Sequence, residues 1–236
     1  MRIIVFIFFF NIFNLSNNYR KIFDNSYNNA LEFLQNNQSL IINELGDNND
    51  ENSIKLSLVF PELIRYSMFK DLLETTALEL MYVNYGKETA NFSIGYFQMK
   101  PSFIEEMEIY INNSTVLKNK FYYIVDYDAI PDKEKRKIRI NRIKSLKWQL
   151  RYLDCFYSII TERFNEKSYS KTSKKIRFFS SAYYHDFLAP EEEIHLWEKK
   201  TIFPYGIHNS NKQYSYTDLA VYFYKNHSKE IVCNKY

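Results

Sequence analysis

The chain has 236 residues, of which 46% are apolar and 25% charged, so it is long enough to bury a core without disulfide or metal staples. Only 4 Gly and 5 Pro are present, which argues against a multi-stranded sandwich or barrel and against any Gly-rich phosphate-cradling loop. Aromatic residues are abundant at 18%, and the net charge of +3 is too weak to demand a nucleic-acid partner.

In chain order, Arg2 precedes an apolar run from Ile3 to Phe13, the pattern of a secretory signal peptide with Ser16 beside the cut. The run is too short for a comfortable membrane span, and an uncleaved signal anchor is the competing reading. Residues 14–25 read as a polar connector, and Ser26 to Gln35 as a short helix. Gly46 to Asp50 marks a turn, after which an apolar segment, Ser53 to Phe60, leads into Pro61-Glu62. Asp71 to Tyr85 is predicted as a helix with Leu72, Leu73, Thr76, Leu80 and Val83 on one stripe and Gly86 as its stop.

Asn91 to Lys100 reads as a loop containing Gly95. Pro101 then opens a helix carrying Phe103, Met107 and Tyr110. Lys133 to Phe164 is a long helical stretch broken near Ser145, with Leu146, Leu150, Leu153, Tyr157 and Ile160 at helical spacing. Further helices are expected over Lys174 to Leu188, from Pro190 to about Lys200, and over Tyr216 to Asn226. The organisation expected is a signal segment over 1–16, a polar segment with one short helix over 17–52, and a mainly α domain with at most a small β element over 53–236.

Few residues point to chemistry by themselves. Cys155 and Cys233 cannot form a zinc site alone, and they read either as a disulfide or as two thiols. The four His show no ligand spacing. Nine Lys/Arg lie between Lys133 and Arg151, which reads either as the solvated face of a helix or as a polyanion-binding surface. Glu62 sits beside Phe60, Leu63 and Ile64. Poor solvation there raises a carboxyl pKa and would keep a proton available for general-acid chemistry. On its own, Glu62 reads first as an ordinary carboxylate at a helix end.

Gly95-Tyr-Phe-Gln98-Met-Lys-Pro101-Ser resembles the Gly-Leu-Met-Gln-x-x-Pro-Ser/Thr signature of the soluble lytic transglycosylase and goose-type lysozyme superfamily. Glu62 matches the catalytic Glu that ends a helix upstream in that family. Trp148 to Phe164 resembles its long core helix, and Phe179-Ser-Ser-Ala182-Tyr183-Tyr184 its Ala-Tyr-Asn-x-Gly motif. The resemblance spans roughly residues 53–190.

What the resemblance implies is a lysozyme-like fold and an exported, periplasmic or envelope-associated enzyme. It would cleave the β-1,4 bond between N-acetylmuramic acid and N-acetylglucosamine of peptidoglycan. Glu62 would be the single acid/base and Tyr183 the tyrosine contacting it. Ser93, Gly95, Tyr96 and Gln98 would bind substrate, with Arg65 and Tyr66 lining the same cleft. The partners implied are glycan strands and cell-envelope proteins, with no nucleic acid and no metal or organic cofactor.

Three departures stand out. Leu63 replaces the Ser that follows the family Glu, Pro61 precedes it, and Tyr184 stands at the motif Asn with no Gly after it. The 36-residue gap from Glu62 to Gln98 implies an inserted helix containing Glu74, Glu79 and Glu88. Among these, Glu74 is the favoured second carboxylate that would hold a water for hydrolysis. Arg65 close to Glu62 would lower the carboxyl pKa unless it points away. The alternatives to an enzyme are a lysozyme-like module that binds glycan or protein without cleaving, and a nucleic-acid binder using the Lys133–Arg151 run.

Overall fold

The computed structural model describes residues 18–69, 75–127, 129–165, 167–207, 209 and 211–233. The expected signal segment and Glu74 lie outside the described residues. The described chain is mainly helical, and its β structure consists of two isolated antiparallel bridges, Ile94–Met99 and Phe203–Tyr214.

Helix α3, Asn49–Phe69, is the central element. Every residue from Asn52 to Ile64 is buried, so this helix is enclosed on all sides rather than amphipathic. Asp50 and Glu51 in its first turn suit the positive end of the helix dipole. The apolar segment ending at Phe60 was expected to stop at Pro61-Glu62, but the helix runs through Pro61 for two further turns. Proline cannot donate to the Ser57 carbonyl, and packing on every face holds the helix together across that gap. Glu62 is therefore a mid-helix carboxylate and not a helix-end one.

Around α3 pack α1 (Tyr19–Asn36), α9 (Thr172–Tyr184), α11 (Tyr216–Asn226) and α12 (Ser228–Val232). Residues 17–52 had read as a polar segment with one short helix. Their described part instead forms α1 and α2 (Gln38–Leu45), whose Tyr27, Leu31, Leu34, Ile41 and Leu45 join the core. Of the polar residues that suggested a connector, Arg20, Lys21, Asp24 and Asn25 lie on the exposed face of α1, while Tyr19 and Phe23 stack at its start.

The second half of the core is organised by α8 (Leu146–Arg163), which meets α2, α3, α5 (Pro101–Asn113), α6 (Thr115–Val125) and α7 (Asp132–Lys144). Ser145 separates α7 from α8. A buried ammonium ties the two halves. Lys55 Nζ lies 2.5 Å from Asp154 Oδ1 on α8 and also pairs with Glu51. The arginines of the basic run on α7 and α8 are partly buried and hydrogen-bonded, whereas Lys133, Lys137, Lys144 and Lys147 are exposed. Arg139 clasps Glu108 and Glu105, Arg142 caps the Tyr123 and Ile124 carbonyls, and Arg151 and Lys147 pair with Glu44.

The expected helix over Asp71 to Tyr85 is described as α4, Thr76–Tyr85. Its buried residue is Tyr82, hydrogen-bonded to Glu105; of the expected stripe, Thr76 and Leu80 are exposed, Val83 is partly buried, and Leu72 and Leu73 lie outside the described residues. A short α10, Glu191–Trp197, follows α9. Cys155 is buried and Cys233 exposed, both as free thiols. No described helix is long and apolar enough to cross a membrane.

Candidate functional site

A tight turn puts the first group of residues in place. Ile94 and Met99 exchange both backbone hydrogen bonds, at 2.9 and 3.1 Å, closing a hairpin over Gly95 to Gln98. Gly95 has φ +73°, and a Cβ there would lie 1.8 Å from the Gln149 side-chain nitrogen. Glycine is thus required both by the backbone and by the space. Gln149, fully buried on α8, accepts from the Phe97 N–H at 2.8 Å and donates to the Ile143 carbonyl at 2.5 Å. Gln98 has φ +51°, and its amide donates to the Gly95 carbonyl at 2.8 Å, which leaves its side-chain oxygen free of that bond.

The hairpin forms one wall of a cleft of about 620 Å³, a volume in the range of ligand sites. Glu62 and Arg65 on α3 form its floor, and Tyr183, Tyr184, His185 and Asp186 at the end of α9 form another side. Of the residues proposed from sequence, the cleft brings together Glu62, Arg65, Ser93, Gln98 and Tyr183. Gly95 lies behind it, against Gln149. Tyr66 and Tyr96 do not line it; both face a different groove on the other side of α3.

Glu62 is 3% exposed. Arg65 Nη1 donates to both of its carboxyl oxygens, at 2.9 and 3.1 Å. Arg65 is itself held in four ways. Its Nε donates to the Pro204 carbonyl, its Nη2 to the Tyr184 hydroxyl, and its guanidinium lies over the rings of Tyr184 and Phe203. The guanidinium therefore points at Glu62, the arrangement the sequence reading had placed in opposition to acid chemistry. Burial nonetheless raises the Glu62 carboxyl above its ordinary value, while Arg65 and Lys100 pull it partly back. Burial works against the Arg65 cation, but Glu62 and Tyr184 more than compensate and push it higher.

Tyr183 was expected to contact the Glu. Its hydroxyl instead donates to the Phe97 carbonyl at 2.7 Å, bracing the hairpin. Burial first, and the Glu62 charge second, push that phenol well up. Tyr216 behaves similarly, donating to the Leu58 carbonyl at 2.8 Å, one turn before Glu62.

Sequence reasoning missed several cleft residues. Trp197 on α10 stacks on His185 with centroids 3.9 Å apart and presents an aromatic rim. Glu106 and Asp186 both line the cleft, and burial followed by the Asp186 charge raises the Glu106 carboxyl. Glu79 pairs with Lys144, and neither it nor Glu88 lines the cleft. Glu106 follows the Gln98 motif on the first turns of α5, so helical spacing from Pro101 was the available signal for it. Trp197 and Asp186 depend on a turn after α9 that carries no motif. Among the described residues, no group of His, Cys, Asp or Glu is arranged to hold a metal ion.

No family model matches this chain, and comparisons with curated proteins and with solved structures return no match.

Proposed function

We propose that this chain is an exported glycosidase of peptidoglycan with a lysozyme-like domain, acting as a lytic transglycosylase through Glu62. The observation that carries the reading is a buried carboxyl, raised above its ordinary value, on the floor of an open cleft walled by the Gly95–Gln98 hairpin. In the protonated state Glu62 gives its proton to the glycosidic oxygen, and the bond to the N-acetylmuramic acid C1 breaks. The carboxylate so formed is received by Arg65, already aligned on both oxygens. It then takes the proton from the C6 hydroxyl of the same sugar, which closes on C1 as a 1,6-anhydro ring. Gln98 and Ser93 offer hydrogen bonds along one wall, and Trp197 offers a ring face to a sugar at the rim.

One observation favours a second reading. The Arg65–Glu62 pair stabilises the anion, which suits a module that binds glycan without cleaving it. Product analysis separates the two. Purified peptidoglycan is digested and the soluble fragments weighed by mass spectrometry. Anhydro-muropeptides support the transglycosylase. Fragments heavier by one water support hydrolysis, with Glu106 or Asp186 holding the water. No fragments, with the protein retained on the sacculus, supports the binding module.

A further inference from the structure

The groove on the far side of α3 is a site in its own right. It encloses about 320 Å³ between α1, α3 and the hairpin. Its walls include the rings of Phe33, Tyr66 and Tyr96. Tyr96 lies 4.3 Å from Phe33 and 5.0 Å from Tyr66, centroid to centroid, at tilts of 33° and 59°. Polar groups surround the rings. Glu32 and Asn36 are exposed on α1, and Asn29 donates to Ser67 across the groove at 3.1 Å. Among the described residues, neither the Tyr66 nor the Tyr96 hydroxyl has a hydrogen-bond partner.

We infer that this groove is a second carbohydrate site, which holds a β-1,4-linked N-acetylhexosamine strand beside the cleft. The chemistry of a pyranose fits the lining on two counts. Its axial C–H face is apolar and packs on aromatic rings, whereas an acidic partner would meet Glu32 and no basic residue in the lining. Its equatorial hydroxyls both donate and accept. The lining supplies a carboxylate that accepts, amides that do both, and two phenol hydroxyls awaiting partners. Phe33, Tyr66 and Tyr96 are each partly buried, whereas the core rings of Phe60 and Phe97 are fully enclosed, so the groove rings keep surface for a ligand.

The position of the groove gives it a role. It shares both of its inner walls with the cleft. On α3, Glu62 and Arg65 face the cleft, while Leu63, Tyr66 and Ser67 face the groove. On the hairpin, Ser93, Gln98 and Met99 face the cleft and Tyr96 the groove. A strand seated there would therefore be tethered to the two elements that build the cleft, raising the local concentration of polymer around it. The choice of an N-acetylhexosamine polymer rests on the glycosidase reading; the fit of a pyranose to rings, amides and carboxylate does not.

The test is titration of the full chain with the β-1,4-linked tetramer of N-acetylglucosamine, followed by amide chemical shifts. The expected result is one set of shifts at Phe33, Asn36, Tyr66 and Tyr96, saturating separately from those in the cleft. Phe33→Ala, which alters α1 alone, should weaken the groove set at least tenfold. The Tyr66→Phe/Tyr96→Phe pair keeps the rings and should weaken it about threefold. Shifts confined to the cleft, or a groove set indifferent to both variants, would overturn the second site. Peptidoglycan digestion is read separately. Groove binding without fragments retains this site and removes the glycosidase, and fragments without groove binding do the reverse.

Discussion

The Arg65 guanidinium meets the Glu62 carboxyl side-on, one nitrogen lying 2.9 and 3.1 Å from the two oxygens, three residues apart on the same helix. Burial and this pair act in opposite directions on the same proton. Burial has the larger effect, so the carboxyl is raised. Removing Arg65 removes the opposing influence. Arg65→Met should move the basic limb of the pH–activity profile to higher pH, because Glu62 then keeps its proton longer. It should also slow the step in which the carboxylate is formed. A profile unchanged in position would show that Arg65 is electrostatically idle at Glu62.

The same shift predicts a pH dependence of stability. The folded Glu62 carboxyl is raised above its unfolded value. Its contribution is therefore fully present below the ordinary carboxylate range and is lost as pH rises through the folded value. Glu62→Gln lacks that titration. The Tm of the variant minus that of the wild type should grow as pH rises from about 4 toward neutrality. A difference that shrinks over this window would mean that the ion pair outweighs burial.

At the hairpin, Gly95→Ala adds left-handed strain of about 1–2 kcal/mol and overpacking of about 1–3 kcal/mol against Gln149. Gln149→Ala strands the Phe97 N–H and the Ile143 carbonyl, at about 1–3 kcal/mol each. The two should be non-additive. With Gln149 shortened its side-chain clash disappears, while the backbone strain and the 2.9 Å approach to the Ile143 carbonyl remain, so Gly95→Ala costs less in that background. Denaturant melts of the four proteins in the cycle measure this; strict additivity would mean that the contact is relaxed elsewhere.

Lys55 is an ammonium with 2% exposure, and Glu51 and Asp154 both pair with it. Either acid alone still answers its charge, so single Ala replacements should be mild. Removing both should cost about 3–5 kcal/mol, the penalty of a buried charge left without a partner. Chemical denaturation checks it. A double variant no worse than the sum of two mild singles would show that water reaches Lys55.

Much of the helical order was legible. The break at Ser145, the start at Pro101 and the stripe through Leu150, Leu153 and Ile160 follow directly from periodicity and proline placement. The run of α3 through Pro61 was not, because local propensity forbids what complete burial from Asn52 to Ile64 enforces. The extent of α1 was hidden for the opposite reason. Its Asn-rich outer face masks a buried edge of Tyr27, Leu31 and Leu34. In the cleft, the Gly95 to Gln98 segment was readable as a turn because a turn is set by short-range spacing, whereas Glu62, 36 residues before Gln98, meets it only through the tertiary fold. The sequence reading misplaced Tyr66 and Tyr96, because adjacent residues on a helix or a turn face different sides, and only the tertiary fold says which side is the cleft.

The central claim is that Glu62 is the acid of a glycan-cleaving cleft, and release of soluble muropeptides from purified peptidoglycan by the wild type and by Glu62→Gln tests it most directly. Loss of a general acid predicts a fall of about 10²–10⁴-fold in the variant, with its Tm preserved or raised at neutral pH. Equal release by the two proteins would contradict the assignment of Glu62, and no release by either would leave the cleft as a binding site alone.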